Sequence, residues 1–279
     1  MSKSRSRSCT VLTLLATLLL LVPSFAEAQD TTAAPAKQAP RTSFDRLFLG
    51  FIEDATVVDR QWWEAQLEFS QGDVVDSGLV RGVVAFQPWD DIELGARLGF
   101  GSTSTRSGLP DGRGATDMDI WGKYYLGHPE EGKKVDLAVG VQLKVPTGDN
   151  TSGLGFDSFA LGFFGSLRWR INQMFTLSGN AGFQINEDGE TLNSGSLNGR
   201  TSERLGVGVI VALSKRLNLV GEWSYAGERF DGMGTDSRLA ASANWRLGKN
   251  GMLRGSIVGG TSSGAPDTQF MVAYAWQFR

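Results

Sequence analysis

A two-residue alternation of apolar side chains begins at Arg60 and continues to the end of the chain. Successive residues of a strand point to opposite faces, so such alternation describes a sheet with two chemically different sides. Twelve segments carry it: 61–70, 79–88, 91–101, 116–127, 134–145, 157–169, 174–185, 203–213, 217–226, 237–247, 252–260 and 268–278. Ile92, Leu94, Ala96, Leu98 and Phe100 form one apolar set, and Phe270, Val272, Tyr274, Trp276 and Phe278 form another. The 36 glycines among 279 residues suit many tight strands better than helices.

The other phase carries charge inside the strands. Its acids are Glu64, Glu68, Glu93, Asp117, Asp119, Asp136 and Glu222. Its bases are Arg81, Arg97, Lys123, Lys144, Arg168, Arg204, Arg238, Arg246 and Arg254. No charge falls in the apolar phase at any strand centre, and a midplane Arg or Lys facing lipid costs ~2–4 kcal/mol. Aromatic residues mark both ends of the apolar phase, with Trp63, Phe86, Tyr124, Trp169, Phe175, Trp245 and Trp276 at one and Phe69, Phe100, Phe159, Phe183, Tyr225 and Phe270 at the other. A soluble sandwich would gather its aromatics centrally, whereas two girdles around an aliphatic band match two bilayer interfaces. The fold expected is all-β: a transmembrane, antiparallel, up-and-down barrel of about 12 strands, closed because lipid cannot satisfy a sheet edge. Short links such as 170–173 and 248–251 alternate with longer ones such as 146–156 and 186–202, so the termini share the short-turn, periplasmic end.

Ahead of the barrel, residues 1–28 read as a cleavable signal peptide. Lys3, Arg5 and Arg7 precede the apolar run Val11–Val22, and Ala26-Glu27-Ala28 supplies a cleavage site after Ala28. Twelve apolar residues are too few to span a bilayer, which needs about 20. Cleavage removes Cys9, the one cysteine, which excludes thiolate chemistry and disulfides, and leaves 24 basic against 29 acidic residues, a formal charge of −5 that argues against a nucleic-acid partner. Residues 29–59 read as a periplasmic linker. Within it, apolar residues at 44, 47, 48, 51 and 52 are spaced for a short helix, interfacial or plugging the lumen.

Two stretches carry a family resemblance. The final strand, Phe270–Phe278 (FMVAYAWQF), resembles the C-terminal signal that the barrel-assembly machinery reads in outer-membrane proteins, although Arg279 follows the terminal Phe. Val139–Asp149 (VGVQLKVPTGD) resembles the strand-to-loop element of outer-membrane barrels of the MetA-pathway phenol-degradation type. That resemblance implies an outer-membrane location and small hydrophobic or aromatic compounds as cargo. Read from the residues alone, Pro146 ends a ladder and Gly148-Asp149 supplies a turn.

Catalytic chemistry finds no support in the sequence. The single histidine, His128, falls in a predicted periplasmic turn away from every external loop. Asp117 and Asp119 share a strand face, where Arg97 or Lys144 can neutralise them. No catalytic residue, metal ligand set or cofactor is expected. The expected function is passive passage of small solutes across the outer membrane, with a structural or adhesive barrel as the alternative. Lumen-lining candidates are Glu64, Glu68, Arg81, Glu93, Arg97, Asp117, Asp119, Lys123, Asp136, Lys144, Glu222, Arg238, Arg246 and Arg254. Expected partners are outer-membrane lipid, the barrel-assembly machinery and an unidentified small-molecule solute, with no nucleic acid. Arg238, Arg246 and Arg254, on adjacent strands, suggest a bias toward anionic solutes.

Overall fold

The structure, a computed structural model, describes residues 51, 53–58, 61–72, 75–105, 111–126, 134–191 and 195–278. The predicted signal peptide, most of the predicted 44–53 helix and His128 lie outside the described residues.

The barrel wall begins with β1 (Gln61–Gln71), β2 (Val75–Trp89), β3 (Ile92–Thr105), β4 (Gly112–Ala115), β5 (Met118–Tyr125), β6 (Val135–Val145) and β7 (Ala160–Arg170). It continues through β8 (Phe175–Asn186), β11 (Thr201–Ala212), β12 (Leu217–Ala226), β13 (Asp236–Leu247), β14 (Gly251–Gly260) and β15 (Thr268–Phe278). A two-stranded hairpin, β9 (Gly189–Thr191) and β10 (Gly195–Leu197), lies in the loop between β8 and β11. All pairings are antiparallel, and β1 pairs with both β2 and β15. The ring is therefore a closed barrel of twelve staves, because β4 and β5 are two halves of one stave. Phe100 pairs with Ala115 while Arg97 pairs with Asp119, so one extra residue is accommodated at Thr116-Asp117. Such a bulge bends a strand and re-aims side chains. The alternation predicted a strand over 116–127, which contains β5, and left β4 in the predicted link 102–115.

The closing seam runs from Gln61↔Phe278 through Leu67↔Val272 to Gln71↔Thr268. Its register places apolar residues of both strands on the outside, where Leu67, Phe69, Phe270 and Val272 are 46–62% exposed. The same outer band holds Val80, Leu98, Val139, Val141, Val207 and Ile257, all exposed. A water-soluble surface rarely presents so large a continuous apolar face. Aromatic clusters border it. Trp63 stacks on Trp276 at 6.5 Å and meets Phe278 edge-on at the end that holds both strand termini. Phe163 and Phe183 pair at 5.3 Å toward the opposite end.

Turn chemistry explains the tight connections at the termini end. Asn172 accepts the backbone N–H groups of Met174 and Phe175, Ser214 accepts those of Arg216 and Leu217, and Gly248 takes the left-handed conformation with φ 70°. At the other end the β1–β2 link, 72–74, is also tight, while the links after β6, β8 and β12 are longer.

Candidate functional site

The interior divides into two levels. At the termini end, Trp62, Val83, Ala85, Trp121, Met252, Ala273 and Ala275 form a buried apolar cluster around Val58. Val58 belongs to a chain segment inside the barrel. Residues 51 and 53–58 fall within the stretch predicted as a periplasmic linker, but they lie in the lumen rather than beyond it. Ala55 and Val58 are 0% and 1% exposed. Phe51 packs against Ala240, Val258 and Met271, with Arg238 over its ring at 5.4 Å.

This segment makes no ladder, so its polar backbone groups require other partners. The wall supplies them with charged side chains. The Phe51 N–H donates to Glu222 Oε2 at 2.8 Å, and the Val58 N–H donates to Glu93 Oε2 at 2.9 Å. Lys123 Nζ donates to the Asp54 carbonyl at 3.1 Å and pairs with Glu93 at 3.3 Å. Trp121 Nε1 donates to Glu93 Oε1 at 3.0 Å, and Arg168 lies 3.8 Å from Asp54. Glu93 and Lys123 are fully buried. Charges this deep persist only when paired and hydrogen-bonded. Below them Asp136 accepts from Tyr125 and Arg170.

Above that floor a cavity of about 1700 Å³ extends to the loop end. Of the predicted lumen residues, Glu64, Glu68, Arg81, Arg97, Asp117, Asp119, Lys144, Arg238 and Arg254 line it. Glu93, Lys123, Asp136 and Glu222 are instead buried below or beside it, and Arg246 sits near the termini-side turn, its N–H bonded to the Arg216 carbonyl. Ion pairs span the cavity wall: Arg81–Glu68 at 2.9 Å, Lys144–Asp119 at 2.8 Å, Arg238–Asp236 at 2.6 Å and Arg254–Glu64 at 3.8 Å. The last pair crosses the intervening strand over Ala273, which is small enough to be passed. Asp117 and Asp119 are therefore held by separate bases, Asp117 by Arg229 at 3.7 Å. The predicted anion bias from Arg238 and Arg254 is offset by these carboxylates.

Arg229 comes from the loop between β12 and β13, where alternation gave no signal. Its guanidinium lies over the rings of Phe156 and Phe230, at 4.9 and 5.0 Å, the rings themselves being 5.3 Å apart, and donates to Asn186 Oδ1 and the Ser158 carbonyl. Burial pulls the group below its ordinary value, and Asp117 and Asp119 push back. Three loops are thereby joined over one side of the mouth. The motif Lys144–Asp149 anchors the first of them at the bulge. Thr147 Oγ1 donates to the Thr116 carbonyl, the Gly148 N–H to Asp117 Oδ1, and the Asp149 N–H to the Ala115 carbonyl. A side chain at Gly148 would meet the Asp117 N at 2.7 Å, so only glycine approaches this closely. Asp149 caps the 3-10 turn Asn150–Ser152, and the Thr151 hydroxyl and N–H hold its carboxyl below the usual range.

No family model matches the sequence, and no curated protein matches it. Solved structures do match in fold. The COG4313 outer membrane channel from Pseudomonas putida F1 superposes with a TM-score of 0.66 at 13% identity, covering 88% of this chain and 99% of that one. A KdgM porin gives 0.54 at 10% identity over 78% of this chain and 99% of that one. A NanC porin gives 0.54 at 9% identity over 77% and 100%. At these identities the likeness shows the twelve-stave barrel.

Proposed function

We propose that the chain is an outer-membrane channel for small solutes, held closed at its periplasmic end by residues 53–58 together with Phe51. The observation that carries this reading is the polar cavity of about 1700 Å³ inside a wall whose outer face is apolar. An inert barrel filled for stability alone would favour an apolar or fully ion-paired interior throughout, as the termini half has. A water-filled vestibule of this size is the feature a passage requires. The lipid-facing band, the aromatic girdles and the predicted signal peptide cleaved after Ala28 support an outer-membrane location, with the final strand as the segment the barrel-assembly machinery would read. The chain is read as non-enzymatic.

The cavity lining favours polar or amphipathic cargo. Charged and amide groups line most of it, and Trp62, Trp121 and Phe156 add aromatic faces. Small aromatic compounds, the class implied by the MetA-pathway resemblance, fit where they carry a polar group. Liposome swelling tests the reading: vesicles bearing the folded protein should admit small solutes, and admission should increase when residues 29–58 are removed. Impermeability of both forms would favour the structural barrel.

A further inference from the structure

Seven basic side chains line the cavity, and five of them pair with a carboxylate as described above. Arg97 has no such contact among the described residues. It lies over the Trp121 ring at 6.0 Å and in the combined field of Asp119, Glu53, Glu64 and Glu68. Arg204 differs from all of them. Its Nη1 donates to Gln142 Oε1 at 2.8 Å and, more weakly, to Gln184 Oε1 at 3.5 Å. Asp119, which lies within the field of Arg204, is already bonded to Lys144.

Neutral amides fix a guanidinium in place without cancelling its charge. The surroundings leave room for a ligand beside it. Arg204, Gln142 and Gln184 all face the cavity, and Gly162, which stands between the two glutamines in the register, adds no side chain there. Asn180 also lines the cavity, and its side-chain oxygen is buried with no hydrogen-bond partner among the described residues. The niche thus offers an oriented guanidinium and amide groups at a cavity wall, with no acid bound to it. Guanidinium planes match carboxylate geometry with two parallel hydrogen bonds.

We infer that the Arg204 niche binds the carboxylate of a small organic acid, and that this is the solute class the cavity accepts. The inference deepens the channel reading, but the site is testable without transport. Equilibrium dialysis of the full mature protein, folded in detergent, against labelled benzoate reads binding alone. Saturable binding of one benzoate per chain is expected, weakened about tenfold or more in Arg204→Gln. Arg204→Lys should fall between the two, and Gln142→Leu should weaken binding less than Arg204→Gln. Each variant is first checked for heat-modifiable gel mobility, which reports a folded barrel. Benzyl alcohol, which matches benzoate in size but lacks its charge, should not compete. Absence of saturable binding, equal affinity in Arg204→Gln, or full competition by benzyl alcohol or by equimolar inorganic phosphate would overturn the assignment. Binding that persists in a protein that never conducts would overturn the channel reading and leave the site standing.

Discussion

The two halves of the barrel share one wall and differ in what fills it. In the termini half, Val58 and its apolar neighbours exclude water, and Glu93 and Lys123 are buried in mutual contact. In the loop half, the same strands enclose a polar cavity into which ionic side chains reach. The wall pattern is identical in both, apolar outside and mixed inside. Twelve strands enclose more space than side chains from the wall alone fill when many inward positions are glycine, alanine or serine. The termini half fills that space with a segment of the chain itself. The loop half leaves it open and folds loops over one side of the mouth.

Removing the charge that organises the filled half should have the largest effect. Lys123→Met leaves Glu93 buried without its ammonium partner, and we expect a loss of about 3–5 kcal/mol in urea unfolding from lipid or detergent. A variant of unchanged stability would mean that the filled half is hydrated. Next comes the shared wall. Val141 is 46% exposed near the centre of β6, so in a soluble barrel Val141→Arg would be nearly neutral. In a bilayer it should cost ~2–4 kcal/mol, and an effect near zero would remove the lipid-facing band. The smallest effect belongs to the open half. Asp149 has a carboxyl held below its ordinary range by Thr151, so its contribution to the loop is complete at neutral pH. That contribution disappears only as the pH falls through the lowered value. Limited proteolysis of the 146–156 loop should therefore be unchanged by mild acid in the parent protein and faster at neutral pH in Asp149→Ala.

The wall was legible because period-two alternation reports which face each side chain takes. The segments 217–226 and 268–278 coincide with β12 and β15, and 61–70 falls one residue short of β1. The contents of the lumen were not legible in the same way. Alternation says that Arg254 and Glu64 point inward, but their contact depends on strand stagger and on Ala273 lying between them. Arg204 appeared among the inward bases, yet only the structure shows that its partners are glutamines. Arg229 lies in a loop, where no periodicity applies. Of the helix suggested over 44–53 only Phe51 and Glu53 are described, and there Phe51 is in a bend with its N–H held by Glu222. A segment whose hydrogen bonds come from distant strands carries no local signature.

Single-channel conductance in planar bilayers, for the intact mature chain and for a form lacking residues 29–58, tests most directly whether the lumen segment closes an otherwise continuous passage. The account predicts small steps for the intact chain and large, frequent steps for the shortened one, both forms being folded by heat-modifiable mobility. Equal conductance in the two forms would contradict it.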